Sequence, residues 1–402
     1  MSSEVSVQDG PALYVAVGRQ LVQYDLDVSS GAVVDRGCLT MPGVIEYASP
    51  HPHLGILYVS CCDVPAGADP GRQWVCAVQL DQGSGHPSML GSPVELRARA
   101  IHLTVDPAGA QLLLAHHRPA GLSVVKLAEG GAFADVLAEQ ADLDFGVFPH
   151  QVRVSPSGSV VFLVARGVPD MSARRPATAR QLLPGMLATF GYSAGHLGEQ
   201  VTLTLGDGLS FGPRNLDFHP TGLWVYLALE TQNQLLVYET DADGRLHAEP
   251  RQRVSTLAKP EADVHQGVGP ILMHPRGHVV YVANRCYEPQ ANTQRRAIPA
   301  EGENSIVVFA VDPVTGDVTL LQRVDSAGIC PRVLSLDASG RILAVANSET
   351  YLVLDAQGER VVPRNVATFV VQDDGRLAFA HRDQVDRAPE ADIAWVGIIG
   401  RN

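Results

Sequence analysis

In the segment GPRNLDFHPTGLWVYLALE, Arg214 lies eight residues before Gly222 and Glu230 lies eight residues after it. If that glycine marks the tight turn of a β-hairpin, both ionisable groups meet at the open end of the hairpin, opposite the turn. The same offsets around Gly158, Gly277 and Gly340 select His150 with Arg166, Gly269 with Arg285, and Arg332 with Ser348. Nearer the N-terminus, Gly55 and Gly109 are followed at the same distance by Asp63 and His117. A guanidinium offers a planar fork suited to carboxylate or phosphate. Histidine and glutamate exchange protons near neutral pH when burial and neighbours tune them. Taken singly, each group has a plainer reading: a strand-end histidine bonds structurally, and a strand-end Arg or Glu forms a salt bridge. Convergence at one level argues instead for a site at one mouth that takes a small anionic substrate.

The glycines belong to a repeat. Six segments share a short strand, a Pro/Asp/Ser-containing turn, a glycine and a strongly apolar strand, and they include VDPAGAQLLLAHH, VSPSGSVVFLVAR, MHPRGHVVYVANR and LDASGRILAVANS. Successive glycines lie roughly 50–65 residues apart, about one four-stranded propeller blade plus its loops. The apolar run after each glycine suits a strand buried on both faces. Second hairpins follow at 20–33, 233–246 and 304–318, alternating and then turning at an Asp/Gly cluster, and read as the outer halves of blades. The expected fold is all-β: one domain over 1–402, a seven-bladed propeller of four-stranded antiparallel blades. The seventh blade is expected where the N-terminal strands of LYVAVGRQLVQYDL meet the C-terminal hairpin of Val366 to Phe379 and close the ring, removing free sheet edges.

One stretch breaks the rhythm. Residues 168–190 form an expected inserted loop, with weak helical patterning interrupted by Pro176 and Pro184 and with Arg174, Arg175 and Arg180 as candidate anion contacts. It leaves the chain on the mouth side, so it is read either as a lid over the site or as a surface excursion. No metal is expected, because HPH at 51–53 and the pair His116–His117 lack carboxylate or cysteine partners at useful spacing. No cofactor is expected either, since no P-loop, nucleophile elbow or dinucleotide fingerprint occurs in a strand-to-helix setting. A net charge of −13 argues against nucleic acid and anionic membranes, which need a basic footprint. No stretch is apolar enough for a spanning helix and the start lacks signal-peptide character, so a cytoplasmic protein with reduced cysteines is expected.

At these motifs the chain resembles the lactonase family of seven-bladed propellers, which includes a bacterial type of 6-phosphogluconolactonase and the carboxy-cis,cis-muconate cyclase. The resemblance rests on FPHQVRVSPSG, GPRNLDFHPTGLWVYLALE, GVGPILMHPRGHVVYVANR and CPRVLSLDASGRILAVAN, and spans roughly 11–350. It implies a site of one histidine, two arginines and one glutamate, which fall on His150, Arg214, Arg285 and Glu230. Departures occur at Ala165-Arg166-Gly167, where the family has an Asp-Leu-Gly-like strand end, and in HHRPAGLSVV, and both affect the mouth. The expected activity is hydrolysis of a lactone carrying an anionic group. Arg214 and Arg285 would hold the anion and a developing oxyanion, and His150 or Glu230 would act as base. Arg166, Arg332 and His117 are expected to contact substrate. Two alternatives stand beside it: a cycloisomerase linking a muconate-type diacid to its lactone, and a non-catalytic binding or scaffold propeller.

Overall fold

The structure, a computed structural model, describes residues 10–64, 71–136, 143–168, 182–209, 211–260, 264–287 and 297–401. Among them there is no helix. Seven antiparallel sheets follow one another along the chain, and each runs from an innermost to an outermost strand. Blade 2 begins with Val44–Pro50 and Ile56–Cys62, blade 3 with Ala100–Val105 and Gln111–His116, and blade 4 with Pro149–Val154 and Val160–Ala165. Blade 5 begins with Pro213–Phe218 and Trp224–Leu229, blade 6 with Gln266–Met273 and Val279–Cys286, and blade 7 with Pro331–Leu336 and Ile342–Asn347. These are the glycine-turned hairpins of the repeat. Their second strands are buried along their whole length, as a strand packed between two neighbouring blades must be.

N- and C-terminal strands close the ring as expected, but the C-terminal partner is a different segment. Val366 to Phe379 does not meet the N-terminus; Asn365–Val371 and Leu377–Gln384 are the outer strands of blade 7. The closing strand is Ile393–Ile399, which pairs antiparallel with Ala12–Val17 and forms the innermost strand of blade 1. The physical reason lies in the side chains. IAWVGII is almost continuously apolar and mostly buried, as an innermost strand requires, whereas Leu377–Gln384 ends in exposed and half-exposed polar residues.

The expected insertion is also shorter than 168–190. Val168 bridges to Leu183, and Met186–Ser193 is the third strand of blade 4, with Met186 to Phe190 all buried. MLATF carries the apolar content that this blade needs, and pairing with Val160–Ala165 overrides any helical tendency. Arg174, Arg175 and Arg180 lie outside the described residues. A longer addition went unnoticed in the sequence. Tyr351–Asp355 and Gly358–Val362 form a hairpin between the second and third strands of blade 7, and Ala297–Pro299, from the equivalent connection of blade 6, pairs parallel to it. This small sheet buries Ile298, Tyr351 and Val353 against Cys286 and Cys330 on the mouth side of the ring.

Repeated contacts fasten one blade to the next. A tyrosine of the second strand donates its hydroxyl to the carbonyl of an outer-turn glycine in the following blade: Tyr58 to Gly131 at 2.6 Å, Tyr226 to Gly316 at 3.0 Å and Tyr281 to Gly375 at 2.9 Å. On the inner turns, His51, His219 and His274 bond through Nε2 to the carbonyls of Gly109, Gly277 and Gly340 at 3.0–3.1 Å. The first histidine of HPH is therefore committed to structure. Gly277 takes a φ of +73°, and a Cβ there would lie 2.4 Å from the His219 Nε2, so the position admits no side chain for two independent reasons. The variant Gly277→Ala is expected to keep the fold and lose about 2–4 kcal/mol, read as a Tm lower by several degrees in calorimetry. An unchanged Tm would mean that the inner-turn lock contributes nothing.

Candidate functional site at the channel mouth

Each innermost strand carries one extra residue near its mouth end. In blade 4, Pro149 faces Ala165 but Gln151 faces Val164, so His150 is the bulged residue. In blade 5 the bulged residue is Arg214, and in blade 7 it is Arg332. Blades 2 and 3 bulge at Glu46 and Ile101, and blade 6 bulges across Gly269 and Pro270. A bulge bends its strand and re-aims the side chain at that point. The residue before the proline helps to set the entry: Phe148 and Cys330 hold φ values of +55° and +57°. His150, Arg214 and Arg332 are thus presented by one repeated device, while Arg166, Glu230 and Arg285 sit at or just past the ends of the second strands opposite them.

Glu230 is the centre of the cluster. It is 4 % exposed, and the three arginines of blades 4, 5 and 6 converge on it. Arg285 donates an Nη2 hydrogen bond to Oε1 at 2.5 Å, the Arg214 Nε lies 3.3 Å from the same oxygen, and the Arg166 Nε lies 2.7 Å from Oε2. The last pair is within ion-pair reach but poorly aligned, leaving both atoms without a well-directed hydrogen bond. Tyr287 donates its hydroxyl to Oε1 at 3.4 Å and places its ring 5.1 Å from the Arg285 guanidinium carbon. Gly269 makes room for that arginine: a Cβ there would sit 2.7 Å from the Arg285 Nε. The bulge of blade 6 carries no charged group because a guanidinium fills its place.

The charges do not balance. Three arginines face one carboxylate, and Arg332, exposed at the blade 7 bulge, has no carboxylate partner among the described residues. Burial pushes the Glu230 carboxyl up, but Arg166, Arg214 and Arg285 together hold it well below the usual carboxylate range. Burial, followed by the repulsion of Arg285, pushes Arg214 down to about 9, which leaves it charged at neutral pH. Burial also raises the Tyr287 hydroxyl to about 12, with the Glu230 charge adding to it. His150 lies well below its ordinary value of 6.5, through burial first and then the charge of Arg214. Its Nδ1 is buried with no hydrogen-bond partner among the described residues. Neutral imidazole is therefore the resting form, with a ring nitrogen that no group among the described residues occupies.

The residues expected to line the site separate into groups. His150, Arg166, Arg214, Glu230 and Arg285 come together in one electrostatic cluster, and Arg332 acts on it from blade 7. His117 stands at the edge, its charge felt at His150 and its ring 4.7 Å from that of Phe148. Its neighbour His116 is instead tied between strands, through Nδ1 to the Ala98 carbonyl at 3.1 Å and Nε2 to the Ser123 hydroxyl at 2.7 Å. No group of three His, Cys, Asp or Glu side chains suited to a metal occurs among the described residues. Tyr287 and Phe148 were missed in the sequence because they fall two residues beyond Arg285 and two before His150. Aromatic side chains flanking the charged offsets were the available signal.

The fold is a seven-bladed ring with a charged mouth, and residues 185–354 match the family model for lactonase, 7-bladed beta-propeller. The resemblance read from the motifs holds. The chain is 25 % identical over 331 residues, 82 % of its length and 84 % of the other, to a protein of Bacillus subtilis (strain 168) named 6-phosphogluconolactonase. In structure it is similar to the periplasmic gluconolactonase of Pseudomonas aeruginosa, with a TM-score of 0.71, 21 % identity and coverage of 98 % and 99 % of the two chains. It is also similar to a protein from Lactobacillus plantarum, with a TM-score of 0.70, 20 % identity and coverage of 97 % and 99 %. At those identities the structural likenesses speak for the fold alone.

The charge balance gives a direct test. Glu230→Gln leaves the buried Arg214 and Arg285 and the partly exposed Arg166 facing no carboxylate and is expected to cost about 3–5 kcal/mol, measured by denaturant unfolding at pH 7. In the wild type the contribution of Glu230 is fully present above its ordinary value of 4.5 and fades as the pH falls through the depressed folded value. The stability difference between wild type and variant should therefore shrink as the pH is lowered below about 4.5. A constant difference across that range would show that the carboxylate is not the counter-ion of the cluster.

Proposed function

We propose that the protein hydrolyses a lactone bearing an anionic group. The observation that carries this reading is the uncompensated positive charge buried at the mouth of a chain whose net charge is −13. Such a site binds an anion because burial removes the water that would otherwise screen its guanidinium groups. The names of the relatives support a lactone as the group acted on, and they favour hydrolysis over cycloisomerisation or a scaffold role.

In this mechanism His150 is the general base and Glu230 is the positioning residue. A carboxylate held by three arginines stays ionised and is too weakly basic to take a proton from water, but it fixes Arg166, Arg214 and Arg285 in place. His150 is neutral at rest and can accept a proton. It activates a water molecule, whose oxygen attacks the lactone carbonyl carbon. The carbonyl oxygen becomes an oxyanion stabilised by Arg214 and Arg285. Collapse breaks the bond to the ring oxygen, which takes the proton back from His150 and leaves as the hydroxyl of the open hydroxy acid. Arg332 adds positive potential for the anionic group. Binding of that anion offsets the arginine field and raises the basicity of His150 when the water must be activated.

Among the described residues no helix is long and apolar enough to cross a membrane. Cytoplasmic residence belongs to the same proposal, supported by six free cysteines.

The test is turnover of aldonic acid lactones with and without an anionic substituent, with spontaneous opening subtracted. Acceleration that prefers the anionic substrates is expected, and no acceleration of any lactone would overturn the reading. His150→Ala should lower kcat about 10²–10⁴-fold in a folded protein. The pH profiles carry the sign of the field. For a carboxylate-bearing lactone, the acid limb of kcat/KM, which reports the free enzyme, should lie well below pH 6.5. The limb of kcat should lie at higher pH than that of kcat/KM. The reverse order would remove His150 as the base.

A further inference from the structure

The cluster accounts for the cations of blades 4 to 7. A further cation stands on the blade 3 side. Arg118 follows His117 in the connection after Gln111–His116 and is exposed. No carboxylate pairs with it among the described residues. Its guanidinium carbon lies 4.5 Å from the centroid of the Phe148 ring, and the His117 ring packs against that same ring at 4.7 Å with an interplanar angle of 43°.

Phe148 is a built seat for this arginine. It holds a φ of +55°, a conformation that a bulky residue keeps only when its surroundings enforce it and that concentrates at ligand sites. Its carbonyl accepts the backbone N–H of Arg166 at 3.0 Å, and Pro149 and the bulged His150 come next in the chain. The ring that carries Arg118 is thus fixed by backbone to two members of the cluster. A guanidinium stacked through its face keeps its in-plane N–H groups available for an anion. Arg118 projects from blade 3, whereas Arg166, Arg214, Arg285 and Arg332 belong to blades 4 to 7, and its seat lies two residues before His150.

We propose that Arg118, seated on Phe148, determines specificity by binding a second anionic group of the substrate, a terminal phosphate monoester or carboxylate remote from the lactone carbonyl. The proposal rests on the lactone reading only for the identity of the first group. Two anion-binding positions on either side of His150 select a substrate that is charged at its far end and orient its carbonyl toward the base.

Binding of the ring-opened acids tests this without any turnover. The probes are a terminally phosphorylated aldonic acid and the same acid without its phosphate, titrated calorimetrically into wild type, Arg118→Gln and Phe148→Leu. In the wild type the phosphorylated acid should bind about tenfold more tightly. Arg118→Gln should bring the two acids to within about twofold and leave the unphosphorylated acid unaffected, and Phe148→Leu should lose part of the same preference. A wild type without the preference, or a preference that survives Arg118→Gln, overturns the proposal. Equal weakening of both acids in Arg118→Gln also overturns it, since Arg118 would then act only through the His150 strand. The two readings fail separately. A phosphate preference that depends on Arg118, in a protein that opens no lactone, refutes hydrolysis and leaves the subsite standing. Lactone turnover with no such preference does the opposite.

Discussion

The mouth depends on one residue too many in each innermost strand. A strand with period two sends alternate side chains to opposite faces, and in a radial blade both faces meet a neighbouring blade. A regular strand would therefore drive its mouth-end side chains into the interblade cores. The bulges at His150, Arg214 and Arg332 break that alternation where the chain reaches the mouth, and an unpaired bulge residue is free to point elsewhere. The same irregularity at Glu46, Ile101 and Ala394 serves no charge cluster of this kind. The bulge is thus a property of the blade, and the chemistry is written only in what each blade places there.

What blades 4 to 7 place there is electrostatically unfavourable without a ligand. Burying a guanidinium costs several kcal/mol unless a counter-charge sits close by, and here one carboxylate serves the buried Arg214 and Arg285 together with the partly exposed Arg166. That shortfall holds Glu230 low, whereas burial first, and then the charge of Arg214, lowers His150. The arginines favour the ionised form of Glu230, and the surroundings of the half-buried His150 favour its neutral form. On the proposed function an incoming anion relieves the imbalance, and substrate binding and activation of His150 become one electrostatic event.

Such a cluster requires a stiff frame. The tyrosine-to-glycine and histidine-to-glycine bonds repeat from blade to blade at both radii of the ring. Side chains also reach across to the unpaired edges of the innermost strands: Gln151 accepts the Leu216 N–H at 2.7 Å and Asp217 accepts that of Met273 at 2.8 Å. At the second-strand ends, the buried Asn284 and Asn347 donate to the carbonyls of Thr256 and Ser326, each at 2.8 Å. Asn284 and Arg285 are adjacent, yet one locks two blades together and the other faces the site.

The sequence by itself determined the blade. Glycine turns, apolar runs of strand length and their recurrence are local properties, and local sterics and burial suffice to turn them into hairpins at a common level. Constant offsets from those turns were enough to bring His150, Arg166, Arg214, Glu230 and Arg285 to one end of the ring. What the sequence could not decide depended on partners distant in the chain. Which C-terminal strand closes the ring is decided by pairing with Ala12–Val17, which needs the nearly continuous apolar run of Ile393–Ile399 rather than the hairpin of Val366 to Phe379, whose second strand ends in polar residues. The first five residues of Met186–Ser193 fall within the expected loop 168–190, since their identity as a strand comes from the buried slot beside Val160–Ala165. The division of labour between His150 and Glu230 was equally hidden. A glutamate is a plausible base in isolation and ceases to be one only when three blades each bring an arginine to it, because its proton affinity belongs to the assembled field and not to the residue.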